Sequence, residues 1–197
     1  MLRKVKIFAL IVCSALILTG CPPPCSSYVK VNYGEIPDSI LNLIPYSDGE
    51  RVSFQHSNGL VVNYSISRTE EESVEIEEWS CYEVNHKVIK AFLTPDYPIF
   101  QISLYITKFD STYYDYSIGV GSSSVNIPVN TTPWSVDNLF DSVEVNDVLY
   151  TNVFKLKAYS YWDESENQIY LDSIYFNFET GILQLIMSNN ETYRLCN

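Results

Sequence analysis

Phe100-Gln101-Ile102-Ser103-Leu104-Tyr105-Ile106-Thr107 alternates apolar and polar side chains without a break. Side chains of an extended chain point to opposite faces with a period of two, so this stretch predicts a strand with one buried and one wet face. The same period runs through Leu60, Val62, Tyr64 and Ile66, and Asn58-Gly59 before it is hairpin chemistry leading back to residues 51–55. Residues 113–119 are expected to pair with 100–107 across Asp110-Ser111. Asn146-Asp147 is a second two-residue turn, between 143–145 and 148–158, with Val148, Tyr150, Phe154 and Leu156 expected inside. Glu179-Thr180-Gly181 joins 168–178 to 182–187, and 192–196 closes the chain. Residues 37–44 are expected to form one short N-terminal helix, capped by Asp38 or Ser39 and ended by Pro45. About ten strands with short polar turns predict an all-β fold, an antiparallel meander forming a sandwich or a curled sheet.

Composition agrees. Sixteen Tyr, nine Phe and three Trp against seven Gly describe residues that suit pleated, half-buried surfaces.

The first residues carry an address. Arg3, Lys4 and Lys6 precede an apolar run, 7–18, that is too short to span a bilayer needing about 20 residues. It reads as a cleaved signal peptide over residues 1–20. The run ends in Leu18-Thr19-Gly20-Cys21, which resembles the lipobox of bacterial lipoproteins. That resemblance implies cleavage before Cys21 and a diacylglyceryl thioether on its sulfur. Removing 1–20 takes away three positive charges and no negative ones, moving the formal charge from -12 to -15. Phosphate backbones repel such a chain, so no nucleic-acid partner is expected. Residues 21–27, with three prolines, are read as an extended tether, and 28–197 as a single β domain. Pro22 stands where an inner-membrane retention signal would have Asp, which favours the outer membrane of the envelope. The periplasmic and surface faces stay open alternatives.

Several segments also resemble small Bacteroidota-type lipoproteins of unknown function. These are Ile44-Pro45-Tyr46-Ser47-Asp48-Gly49 leading to Phe54, the hairpin 145–150, and Tyr175-Phe176-Asn177 through Gly181-Ile182-Leu183-Gln184 to Tyr193-Arg194-Leu195. The group often has Trp where this chain has Tyr193. The resemblance implies an envelope β domain and no catalytic residue.

Chemistry-bearing residues are sparse. With Cys13 in the signal peptide and Cys21 lipidated, Cys25, Cys81 and Cys196 remain, and a Cys81–Cys196 disulfide is the candidate pair. Cys25 beside the anchor is the expected odd one out, with the alternative that a bond from Cys25 to either other Cys staples the domain to the membrane end. His56 and His86 lie in no nucleophile arrangement, so no enzyme is expected. Glu70, Glu71, Glu72, Glu75, Glu77 and Glu78 crowd one stretch, which is read as a solvated hairpin tip rather than a calcium loop. No metal or cofactor is expected. Trp134, Tyr159, Tyr161 and Trp162, with Tyr170 near them, are the candidate platform for a glycan or protein partner, because exposed aromatic faces stack on apolar ligand surfaces. Asp-Ser triplets at Ser39, Ser111 and Ser142 resemble O-glycosylation acceptors, with Ser173 a weaker one inside a strand. The functional expectation is a membrane-anchored, non-catalytic binding or structural module. The alternative is a carrier of a lipid or other hydrophobic ligand in a curled-sheet cavity.

Overall fold

The computed structural model describes residues 25–77, 80–110, 112–127, 129, 139–160 and 168–196. It is nearly all-β. The strands are β1 Val29–Asn32, β2 Arg51–His56, β3 Val61–Glu77, β4 Tyr82–Pro95, β5 Ile102–Lys108, β6 Tyr114–Val120 and β7 Ser123–Ile127. They continue as β8 Leu139–Val145, β9 Val148–Lys157, β10 Tyr159–Ser160, β11 Leu171–Asn177, β12 Gly181–Met187 and β13 Thr192–Leu195. Instead of a helix over 37–44, a single turn forms, α1 Asp38–Leu41. Pro37 occupies its N-cap and makes no side-chain cap, so the Asp38 or Ser39 cap does not form. One turn fixes three residues for one or two hydrogen bonds and does not propagate on its own.

By compactness the chain divides into two units, Met1–Asn32 with Val74–Asn85, and Tyr33–Ser73 with His86–Asn197. In the first, β1 lies parallel to β4, with Val29 opposite Tyr82 and Val31 opposite Val84. Lys30 pairs with Glu83 at 3.1 Å on the other face. Cys81 is bonded to Cys25, not to Cys196, which keeps a free thiol. Sequence spacing offers no means to choose between them, because the choice rests on β1 finding β4 some fifty positions away. The left-handed φ of Cys81, 58°, ends the β3–β4 connection there.

In the second unit the strand order is β10-β7-β6-β5-β4-β3-β2-β13-β12-β11-β9-β8. Two meanders, β2 to β7 and β8-β9-β11-β12-β13, join through the β2–β13 pair. β10 begins two residues after β9 ends and pairs with β7, so the sheet curls back on itself. This settles the sandwich or curled-sheet alternative in favour of the curled sheet. Turns form at both expected places: Asn146-Asp147 as a two-residue turn with Val145 opposite Val148, and Asn58-Gly59 within a three-residue loop, 57–59, with Gln55 opposite Val61. Asn146 and Asp147 take φ of 49° and 63°, the geometry a two-residue hairpin needs. Asp110 Oδ1 accepts the amides of Thr112 and Tyr113 and closes the β5–β6 turn.

The concave side is filled. Phe54, Val62, Tyr64, Ile102, Leu104, Ile106, Tyr116 and Phe176 are all fully buried, and Phe176 stands edge-on to Tyr116 with ring centres 5.9 Å apart. Leu60 is exposed, since it belongs to the turn rather than to β3. In β9 the buried residues are Val153 and Leu156, while Val148 and Tyr150 are half-buried. Asn152, at φ 53°, interrupts the two-residue alternation there. Of the acidic run, Glu70 and Glu71 lie in the body of β3, where Glu70 meets Lys87 at 3.0 Å and Glu71 meets Lys90, while Glu72 and Glu75 stand exposed toward its hairpin end.

Tyr116 Oη is buried with no hydrogen-bond partner among the described residues, and burial holds its pKa well above the usual phenol value. Tyr116→Phe removes an unpaired polar atom and no bond. Urea unfolding is expected to show equal stability or a gain of up to about 1 kcal/mol; a clear loss would mean that the hydroxyl is paired.

Candidate functional site

Lys155 and Lys157 alternate with buried Leu156, so β9 turns both ammonium groups outward while its apolar side chain enters the core. β9 pairs with β11, with Tyr175 opposite Lys155 and Ser173 opposite Lys157. Ala158 N–H donates to Asp172 O at 2.8 Å, the last link to β11. The chain then changes partner: Tyr159 lies opposite Ser124 and Ser160 opposite Ser123, on β7. A strand that leaves one neighbour for another parts the two it runs between. A cleft of about 570 Å³ opens at this crossing, lined by Asn126, Lys155, Leu156, Lys157, Tyr159, Asp172 and Ser173. Nearby, β7 and β11 are tied where Ser123 Oγ accepts the Leu171 amide at 3.2 Å. Lys155 Nζ lies 5.5 Å from the centre of the Tyr175 ring, which orients that ammonium. Tyr159 is 71% exposed. Two cations, a carboxylate, a side-chain amide and an open aromatic face give donors, acceptors and a stacking surface within one concavity.

Of the platform residues expected from sequence, Tyr159 lies at this cleft. Trp134, Tyr161 and Trp162 lie outside the described residues, as do Cys21 and Ser111. Tyr170 is half-buried, its amide donating to Ser188 Oγ at 3.2 Å. Ser39 is exposed on α1 and Ser142 is exposed on β8, the last strand of the sheet, whereas Ser173 is buried. Lys155, Lys157, Asn126 and Asp172 were not singled out from sequence. The readable signal was the pair of lysines at alternate positions in an acidic chain; Asn126 and Asp172 had none.

A second cleft of about 240 Å³ lies along β2 and β13, lined by residues including His56, Ser57, Asn146, Thr192 and Arg194. His56 Nδ1 accepts the Asn58 amide at 3.4 Å, and Nε2 faces Glu191 Oε2 at 3.6 Å. Tyr193 packs on the imidazole with ring centres 4.6 Å apart. Ser57 Oγ accepts the Thr192 amide, which turns it to the backbone rather than to His56. His86 packs against Phe109. Among the described residues no three His, Cys, Asp or Glu side chains group as metal ligands, and no helix is long and apolar enough to cross a membrane.

No protein-family model, curated protein or solved structure matches this chain.

Proposed function

We propose that the chain is a non-catalytic envelope lipoprotein, anchored at the outer membrane through acylated Cys21, that binds glycan at the crossing of β10 between β11 and β7. The exposed ring of Tyr159 above a polar cleft carries this reading. Saccharides present alternating C–H faces and hydroxyls, and such a ligand suits one stacking ring flanked by Lys155, Lys157, Asn126 and Asp172. The lipobox residues Leu18 to Cys21 support the anchor. A hydrophobic-ligand carrier is less well supported. It needs an empty apolar space of several hundred Å³, whereas the concave side is occupied by fully buried side chains and the surface of the cleft is as much polar as apolar.

The test is binding of the full chain to an array of neutral and acidic envelope glycans, followed by titration calorimetry on the best binder. Tyr159→Ala is expected to weaken that binding about tenfold, the worth of one stacked ring. An unchanged affinity, or no glycan bound by the native chain, would count against the site.

A further inference from the structure

Five of the large apolar side chains that stand exposed belong to the smaller unit: Tyr28, Val29, Val74, Ile76 and Tyr82. They come from the segment leading into β1 and from the ends of β3 and β4 that meet at the hairpin. Val74 and Ile76 share one face of β3, with Glu75 between them on the other. Val29 and Tyr82 are register partners on one face of the β1–β4 pair, and the Lys30–Glu83 ion pair takes the opposite face. The β1–β4 pair therefore presents apolar groups on one side and its ion pair on the other, while on β3 Val74 and Ile76 form an apolar step next to Glu72, which shares their face. Isolated apolar residues on a surface need no explanation, but several gathered at one end of a small unit do.

Covalent geometry says what covers them. Cys25 is four residues beyond Cys21, and an extended chain spans at most about 15 Å over that length. The disulfide then carries the path across 5.6 Å between the Cα atoms of Cys25 and Cys81. Cys81 thus lies within about 20 Å of the residue that bears the lipid, whatever the path between. Tyr82 is next to it, and Tyr28 is three residues from Cys25.

We propose that β1 and the adjoining ends of β3 and β4 lie against the headgroup region of a zwitterionic bilayer, so that this unit is a second, shallow membrane contact beside the acyl anchor. The placement rests on the reading of Cys21 as acylated. Tyrosine suits the boundary between headgroups and acyl chains, where its ring is apolar and its hydroxyl wet. Shallow burial of a few apolar side chains adds affinity without spanning. Glu75 and the acidity of the chain as a whole disfavour an anionic surface, which is why the lipid is zwitterionic. The disulfide has a role in this arrangement: it prevents the hairpin end from drifting off its tether.

The experiment reconstitutes the native, full-length lipidated protein in phosphatidylcholine vesicles doped with a phosphatidylcholine carrying an acyl-chain diazirine. After illumination, lipid adducts are mapped by peptide mass spectrometry. Adducts concentrated at Tyr28, Val29, Val74, Ile76 and Tyr82 are expected, and Ile76→Asp should reduce those in its own segment several-fold. A Cys21 peptide that carries the thioether lipid while residues 25–32 and 74–85 stay free of adducts would overturn this placement and leave the anchor standing. A Cys21 peptide of unmodified mass would instead remove the anchor, and this contact with it.

Discussion

Gly181→Val is expected to lower the melting temperature by about 10 °C, corresponding to roughly 4 kcal/mol for a chain of this size. Gly181 opens β12 at φ 89°, a conformation that a β-branched residue does not adopt without strain. Space is as restrictive as the backbone. A Cβ there would stand 2.5 Å from Tyr46 Oη, 2.6 Å from Tyr46 Cζ and 3.0 Å from Pro45 Cγ. Tyr46 has no room to retreat, being 4% exposed, and its hydroxyl accepts the Ile182 amide at 2.8 Å. The substitution therefore combines backbone strain, overpacking and a lost hydrogen bond. Gly49, at φ 78° with nothing within 4 Å of the same ideal Cβ, is the control: Gly49→Ala meets the backbone term alone, about 1 kcal/mol. In a Tyr46→Ala background, itself destabilised by the loss of a buried ring, Gly181→Ala should cost less than it does in the native chain, because the side chain it collides with is gone. Calorimetric unfolding of the five variants decides the matter. Equal losses at Gly49 and Gly181 would show that the Tyr46 contact does not constrain the turn.

Arg68→Met is expected to cost about 3 kcal/mol, since it leaves three carbonyls without their donor in a partly buried site. Arg68 Nη2 donates to Leu41 O at 2.8 Å, and Nη1 donates to Ile44 O and Tyr46 O, both at 3.2 Å. Its backbone amide donates to Asp48 Oδ1 at 2.9 Å. One side chain on β3 thus gathers the carbonyls of an irregular segment that has almost no secondary structure of its own. Methionine matches the stem but offers no donor. Lysine keeps the charge yet lacks the planar fork, so Arg68→Lys should recover only part of the loss. Amide exchange should quicken at Leu43 and Asn42, whose amides hold the α1 turn, before the strands open. A Met variant with native urea stability would show that solvent replaces the guanidinium there. Because the segment it holds presents Tyr46 to Gly181, the two substitutions should not add independently.

The strands with an unbroken period of two were legible one by one. Ile102, Leu104 and Ile106 are buried as their alternation requires, and the chain turns where Gly59, Asn146 and Asp147 take left-handed conformations. What failed did so where a residue answers to something distant. β7 has only five residues and β10 two, too short to show a period. β1 is a strand only because β4 lies beside it, and the same pairing sets Cys25 rather than Cys196 against Cys81. The ion pairs of Glu70 and Glu71 were not legible in the acidic run because their lysine partners lie on the next strand, out of sight of local composition. The cleft was legible at Tyr159 alone; Asn126 and Asp172 reach it because the chain, paired with β11 through β9, moves to β7 at β10.

By itself, then, the order of residues determined the all-β character, the principal turns and the apolar faces, since each depends on side-chain periodicity and on backbone preferences within a few residues. Only the tertiary structure decided the curl of the sheet, the cysteine partner, the Tyr46–Gly181 contact and the polar cleft. All four are meetings of segments far apart along the chain. Such meetings are chosen by the packing and backbone pairing of the whole assembly, to which no local pattern gives access.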